Sequence, residues 1–336
     1  MQELGAPECD LVDNEIVDPD LPIVDCHHHL WVHPNDRYVV DEYAKDANSG
    51  HHVIASIYVE CSAMYRQNGP IELRGLGEAE FVAGMAAMSA SGIYGQPQIC
   101  AGFIGRAPLQ LGARVSDVLQ GLFTASGGRL KGVRLPAAWD PDTSLNLGIR
   151  PYAPRGLLLE PKFREGFAEL SKLNLVYDGW QFFPQLPDLC SLADEFPTTQ
   201  IIVDHCGGVV GINDYATSDS FARWRANVEE VARRPNTRMK IGGLGMRVCG
   251  FGFEDYETPP TAAQLAAKWK PYVESCIDLF SPARCMFESN FPVDRAAGSF
   301  RTVWNALKLT AAGYSASEKR DLFCETARRT YSLDLA

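Results

Sequence analysis

The sequence predicts an α/β fold built as a (β/α)8 barrel, and three observations lead there. Eight short apolar runs recur along the 336 residues, with helix-type patterns between them. The runs are mostly continuous rather than alternating, as in parallel strands covered on both faces. The connection after the first run, CHHHLW, has no glycine, whereas a doubly wound open sheet places a glycine-rich phosphate turn there. The cluster GGLG, Gly242–Gly245, follows the seventh run and fits no dinucleotide pattern.

The expected strands are Pro22–Cys26, Val53–Glu60, Gln98–Ile104, Leu130–Leu135, Asn174–Asp178, Gln200–Asp204, Arg238–Gly242 and Cys285–Ser289. Helical spacing joins Phe81, Met85 and Met88; then Phe163, Phe167 and Leu170; then Phe221, Trp224, Val228 and Val231. Two helices, Phe300–Leu309 and Glu318–Tyr331, close the chain. Such β–α alternation over one domain length is the barrel pattern. Three strand-to-helix connections are long: Cys61–Gly77, Pro136–Leu158 and Gly243–Thr261. In a barrel they lie on the C-terminal face, where active sites form. Residues 1–20 read as an N-terminal extension, a lid or an oligomer contact, and residues 21–336 as one barrel domain.

Hydrophobic residues make up 46% and charged residues 22%, which supports a large core and argues against disorder. The net charge of −11 disfavours nucleic acid and anionic membranes, since both need a basic surface. The expected partner is a small-molecule substrate, and a homodimer is compatible with the fold. Ten cysteines are scattered without a C-x-x-C pair, so they read as buried small hydrophobes in a reducing compartment, the cytoplasm. The opening MQELGAPECDLVDNE has no apolar core of a secretory leader. No window is apolar for long enough to span a bilayer.

Successive strand side chains face opposite ways. His27 and His29 therefore share the face that opens on the barrel mouth, and His28 faces the helices. Two imidazoles at i and i+2 form a clamp for a divalent metal; strand-end histidines also hydrogen-bond one another without one. Asp25 is expected on the His27/His29 face one layer deeper, and Cys26 and Cys206 facing away from their neighbouring histidines. Asp204 and His205 follow the sixth run, and Glu288, Asn290 and Asp294 end the eighth. In a closed barrel these strand ends meet at one mouth.

With DCHHHLW (Asp25–Trp31), KGVRL (Lys131–Leu135), VDHCG (Val203–Gly207) and SNFPV (Ser289–Val293), the chain resembles the amidohydrolase-related lactonases of the amidohydrolase superfamily. These include 2-pyrone-4,6-dicarboxylate, sugar-acid and muconolactone lactonases. The resemblance runs from the first strand to the last. It implies a (β/α)8 fold and hydrolysis of a cyclic ester or amide. It also implies that His27, His29 and His205 hold one divalent metal, Zn2+ or Mn2+, or polarise the substrate themselves. The eighth-strand motif departs from the family form S-D-W-P: Asn290 stands where an aspartate acts as base or ligand. An amide does not titrate near neutral pH and cannot take a water proton. The fifth run, LVYDGWQFF, lacks the histidine of binuclear relatives. Metal-free catalysis, known in some lactonases of this branch, stays open.

Glu288, on the face of Asn290, is the candidate replacement base; Asp178 is another. The alternative for Glu288 is a buried ion pair with Lys240 or Arg134. Arg134 is expected to grip a substrate carboxylate, helped by Arg66, Arg150 or Arg247. Trp180, Gln181, Tyr65 and Trp139 are expected to line the pocket. The reaction this favours is the opening of a lactone by water. Two alternatives are decarboxylation of an aromatic acid and a barrel that has lost catalysis and binds a ligand.

Overall fold

A computed structural model describes residues 15–146 and 152–335. Eight parallel strands form one sheet whose spatial order is the chain order. They are β1 (Ile23–His28), β2 (Val53–Val59), β3 (Gln98–Gly105), β4 (Leu130–Val133), β5 (Val176–Gly179), β6 (Ile201–Val203), β7 (Thr237–Ile241) and β8 (Cys285–Phe287). The sheet closes where His28 bridges Phe291. There Asn290 N donates to His27 O at 2.9 Å and His29 N to Phe291 O at 2.7 Å. The expected barrel is the one observed.

Helices α1 (Val40–Ala47), α2 (Leu76–Ala90), α3 (Val115–Ala125), α4 (Pro161–Lys172), α5 (Leu186–Glu195), α6 (Ser220–Ala232), α7 (Ala262–Phe280) and α8 (Phe300–Thr310) surround it. A last helical stretch, 316–330, contains a π-turn at Asp321–Glu325. The predicted spacings bury Phe163, Phe167 and Leu170 in α4, and Trp224, Val228 and Val231 in α6. A hairpin of Trp31–His33 with Asp36–Tyr38 follows β1. Its strands are too short to show a periodicity in the sequence. No helix among the described residues is long and apolar enough to cross a membrane. The nine described cysteines are free, and all but Cys61 are buried.

The apolar interior has two layers. The outer one lies between strands and helices and includes Tyr43, Phe103, Phe163, Trp224 and Trp304. The inner one fills the barrel with Val24, Cys26, Ala55, Ile57, Val59, Ile104, Ile202 and Met286, joined by Tyr331, Leu333 and Leu335 of the C-terminal tail.

One irregularity changes which side chains enter the mouth. Asp25 pairs with Ser56 and His28 with Tyr58, so β1 carries one residue more than β2 over this step, a β-bulge. Strict alternation puts Asp25 beside His27 and turns Cys26 away; the bulge reverses both. Cys26 joins the inner layer. Asp25 faces outward and accepts from Tyr43 Oη at 2.8 Å and Ser289 Oγ at 2.6 Å. His28 also faces outward, stacked on Tyr43 with ring centroids 4.0 Å apart.

Of the expected extension, residues 1–14 lie outside the described part. Residues 15–18 are tied to α8: Asn305 Nδ2 donates to Glu15 O, its Oδ1 accepts from Val17 N, and Lys308 Nζ donates to Asp18 O. His51 is buried against this clasp, with Nδ1 3.0 Å from Lys308 Nζ and Nε2 3.1 Å from Arg301 O. Lysine can only donate and a carbonyl only accept, so a neutral ring satisfies both contacts. Burial, aided by the Lys308 charge, lowers the His51 pKa from 6.5 to about 4. Between those values the unfolded chain binds a proton that the folded chain does not. Stability therefore falls on acidification from pH 6.5 to about pH 4, with His51 contributing about 3 kcal/mol of that loss. Urea unfolding at both pH values should show a weaker loss in His51→Gln; an equal loss in both proteins removes His51 as the cause.

Candidate active site

The sixth strand delivers its histidine through an unusual turn. After Asp204 the backbone turns left-handed, with φ of 54° at His205, 53° at Cys206, 77° at Gly207 and 74° at Gly208. Glycine adopts this freely; each non-glycine residue there costs on the order of 1 kcal/mol. The turn sends His205 into the mouth, while Cys206 O accepts from Trp224 of α6 on the outside. The GGLG stretch makes the room. A Cβ on Gly243 would lie 2.5 Å from His205 Nδ1, and one on Gly242 would lie 2.4 Å from Glu288 Cγ.

Three imidazoles meet at this mouth. The His27 ring centroid lies 4.9 Å from that of His29 and 4.5 Å from that of His205. Their hydrogen bonds fix the tautomer of His29 and His205. His29 Nδ1 lies 2.8 Å from Val59 O, which can only accept. His205 Nδ1 lies 2.6 Å from Glu288 Oε1. Arg134 Nη1, which can only donate, lies 3.2 Å from His27 Nε2. His27 Nδ1 lies 2.9 Å from Glu288 Oε2 and 3.4 Å from the Lys240 ammonium, so this ring has donors at both nitrogens and a carboxylate at one. His29 and His205 thus keep the proton on Nδ1 and leave Nε2 as a lone pair.

Charged groups surround them. Arg134 donates through Nε to Glu60 Oε1 at 3.0 Å and through Nη2 to Glu60 O at 2.5 Å. Lys240 Nζ lies 2.5 Å from Asp178 Oδ2, 3.4 Å from Asp204 Oδ1 and 3.4 Å from His27 Nδ1. Tyr331 Oη donates to Asp178 at 3.2 Å. Burial opposes the Lys240 charge, yet Asp178 and Asp204 outweigh it and hold the ammonium well above its ordinary pKa. Burial, with Lys240, His205 and Arg134, drives His27 well below the usual imidazole range. Burial alone does most of this for His205, lowered to about 3. All three rings are neutral at neutral pH. Glu288 and Asp204 are pushed up, chiefly by burial.

The expected site residues fare differently. His27, His29, His205, Glu288 and Arg134 come together. Glu288 is fully buried behind two imidazoles, whereas His205 is 4% and His29 5% exposed. Solvent touches His29 and His205 but neither His27 nor the carboxylate, so Glu288 faces rings rather than a water. Asp178 is taken up by Lys240 and Tyr331, which removes it as a base. Asn290 Nδ2 donates to Asp294 Oδ1 at 2.8 Å. An aspartate at 290 would oppose that carboxylate, so the amide suits its neighbour. Trp180 stands edge-on to His205 with centroids 4.9 Å apart. Tyr65 lies against Gly75, on the side of Glu60 and Arg106. Trp139 sits in the loop after β4, its N bonded to Gln185 Oε1 and its ring under Arg155. Gln181 is fully buried on the Leu189 side of β5, with neither amide atom hydrogen-bonded. Arg66 does not line the mouth; it pairs with Glu80 on the exposed face. Arg247 is exposed on the loop after β7, and Arg150 lies outside the described residues.

Sequence reasoning overlooked Glu60, Lys240 as a member of the cluster, Trp31 and Arg106. Glu60 carried a readable signal: like Asp204 and Glu288, it is a carboxylate at the end of an apolar strand. Trp31 stacks on His29 at 6.2 Å, and Arg106 Nη1 lies 4.0 Å from Glu60 Oε2.

The donor set fits a divalent cation. His27, Asp204 and His205 each offer a ligand atom, all within 4.8 Å of one another. His29 Nε2 lies 3.3 Å from His27 Nε2, close to the spacing of two nitrogens on one zinc ion at about 2.1 Å each. Both Asp204 oxygens are buried without a hydrogen bond. Nδ1–H groups held by a carboxylate and a carbonyl are the usual support of metal-binding imidazoles. Four buried carboxylates, Glu60, Asp178, Asp204 and Glu288, face two buried cations, Arg134 and Lys240. A divalent ion would balance the remaining two negative charges.

Comparison with known proteins adds to this geometry. A family model described as amidohydrolase matches residues 24–333. The uncharacterized protein y4mH of Sinorhizobium fredii is 27% identical over 334 residues, covering 93% of this chain and 99% of that protein. An L-fucono-1,5-lactonase of Burkholderia multivorans is 29% identical over 184 residues, covering 53% of this chain and 58% of that protein. Among solved structures, an amidohydrolase of Burkholderia multivorans with bound zinc has the same fold, with a TM-score of 0.68 and 24% identity over 93% of this chain and 99% of that one.

Equilibrium dialysis against Zn2+ tests the donor set. The chain should retain about one ion, with affinity at least tenfold weaker in Asp204→Asn. Equal retention by both proteins would exclude Asp204 as a ligand.

Proposed function

The chain is a member of the amidohydrolase family, and on that footing we propose that it hydrolyses the ring ester of a small lactone at the mouth formed by His27, His29 and His205. The carrying observation is the convergence of three neutral imidazoles on one mouth, with His29 Nδ1 and His205 Nδ1 facing fixed acceptors and His27 Nε2 beside Arg134. The likeness to an L-fucono-1,5-lactonase over about half of each chain supports the choice of a cyclic ester.

A divalent ion held by His27, Asp204 and His205 would supply a polarised carbonyl and a bound water with a pKa of about 7. In its absence the chain's own groups carry the proton. His205, unprotonated at neutral pH and reached by solvent, accepts the water proton on Nε2 as the oxygen bonds to the carbonyl carbon. The Glu288 carboxylate, 2.6 Å from His205 Nδ1, stabilises the imidazolium that forms. The ring C–O bond then breaks, and His205 returns the proton to the departing alkoxide. Arg134 is anchored on Glu60 beside His27 and 6% exposed. It is the cation placed to meet the negative charge that grows on the carbonyl oxygen. Its two bonds to Glu60 make it a fixed charge rather than a free clamp. Trp31 and Trp180, half-buried beside His29 and His205, offer flat apolar walls to a ring.

Acid release from a panel of five- and six-membered lactones, with and without Zn2+, tests the reaction. Opening of at least one, abolished in a folded His205→Ala variant, is expected. Release of CO2 from an aromatic acid with no lactone opened would overturn it.

Glu288→Gln keeps the shape and removes the charge behind two imidazoles. Its kcat should fall by roughly 10²–10⁴-fold, with KM little changed and the pH–rate profile displaced. A variant that loses only thermal stability, with kcat and profile intact, would assign Glu288 a purely structural part.

A further inference from the structure

A second site lies at the opposite end of the barrel. A half-open cleft of about 580 Å3 is bounded by the N-terminal ends of β4, β5, β6 and β7 and by the C-terminal tail at Arg329–Ser332. Its volume falls in the range of pockets that hold small organic molecules. Its walls are of two kinds. On one side stand Phe123 and Leu173, 46% and 43% exposed. They are two of the eight large apolar side chains left exposed among the described residues, and the two that share this concave wall. On the other stand Lys131, Arg238 and Arg329.

The cations are the telling part, because the chain as a whole carries a net charge of −11. No carboxylate lines the cleft among the described residues. Arg329 is paired with Asp321 at 2.9 Å. Arg238 and Lys131 have no ion pair within 4 Å among the described residues, although Asp334 of the tail lies near enough to act on the Lys131 charge. Arg238 bonds to the neutral amide of Gln200, and Lys131 Nζ donates to Ser332 O at 3.1 Å. Burial, then Arg284 and Arg329 nearby, depresses the Arg238 pKa, as expected of a guanidinium held without a counterion. Thr199 and Thr330 also line the cleft, and their buried hydroxyls have no hydrogen-bond partner. A guanidinium and an ammonium held by neutral oxygens, with no lining carboxylate, around one concave space are the components of an anion site.

We propose that this cleft binds a small organic anion, a carboxylate or a phosphate monoester with an apolar body, seated on Arg238 and Lys131 with its body against Phe123 and Leu173. Tyr331 forms part of the same wall, and its hydroxyl reaches Asp178 beside Lys240. One side chain therefore separates the cleft from the charge cluster behind the histidines.

Isothermal titration of the full chain with benzoate, and separately with inorganic phosphate, at low ionic strength reads the site. Saturable binding of benzoate is expected, weakened at least about tenfold in Arg238→Gln and less in Lys131→Gln. Binding of phosphate as well, lost in the same variants, would assign the seat to the anionic group rather than to the apolar body. Thermal unfolding checks that Arg238→Gln is folded; should it not be, Lys131→Gln alone carries the comparison. No saturable binding of either probe up to about 10 mM, or binding that neither variant changes, overturns the proposal.

Discussion

The Glu288 carboxylate sets the geometry of the mouth. It stands between Nδ1 of His27 and Nδ1 of His205, so two strands distant in the chain are held to one point. It can reach both only because β8 lies beside β1 in a closed barrel. That closure rests on the hydrogen bonds of Asn290 with His27 and of Phe291 with His29, and on Ser289, which ties Asp25 from outside. The β-bulge in β1 completes the arrangement. Without the extra residue, Asp25 and His27 would share one face and Cys26 would turn away from it.

Electrostatics explains why the arrangement needs so many partners. A charge sealed from water is costly unless neutralised by neighbours or by a change of protonation. Here Arg134 is answered by Glu60, and Lys240 most closely by Asp178. The histidines, squeezed between these cations, are the groups that give up their charge. Glu288 and Asp204 remain as excess negative charge, and that excess makes the site receptive to a cation or to the proton of an attacking water.

The barrel was legible because buried parallel strands are nearly continuous apolar runs, and because polar residues crowd at their ends. Ile23–His28 and Ile201–Val203 announced the positions of His27 and His205 in this way. The same logic failed for Asp25 and Cys26, since strict alternation contains no bulge and a one-residue slip exchanges the faces. It failed for Arg66, because a loop arginine that reaches a surface glutamate looks in sequence like one that reaches a substrate. Asn290 reads as a lost catalytic aspartate until Asp294 is seen to face it. Partners at unrelated chain positions, such as Tyr331 with Asp178, leave no local pattern.

The most direct measurement is 15N NMR of the chain labelled at its histidine rings, recorded at neutral pH. The structure requires three neutral rings, with the proton of His29 and His205 on Nδ1, a tautomer that free histidine disfavours, and requires that substituting Glu288 alter His27 and His205 while sparing His29, whose acceptor is Val59 O. Rings that are protonated, a His29 or His205 proton on Nε2, or an equal response of all three to that substitution would contradict the account.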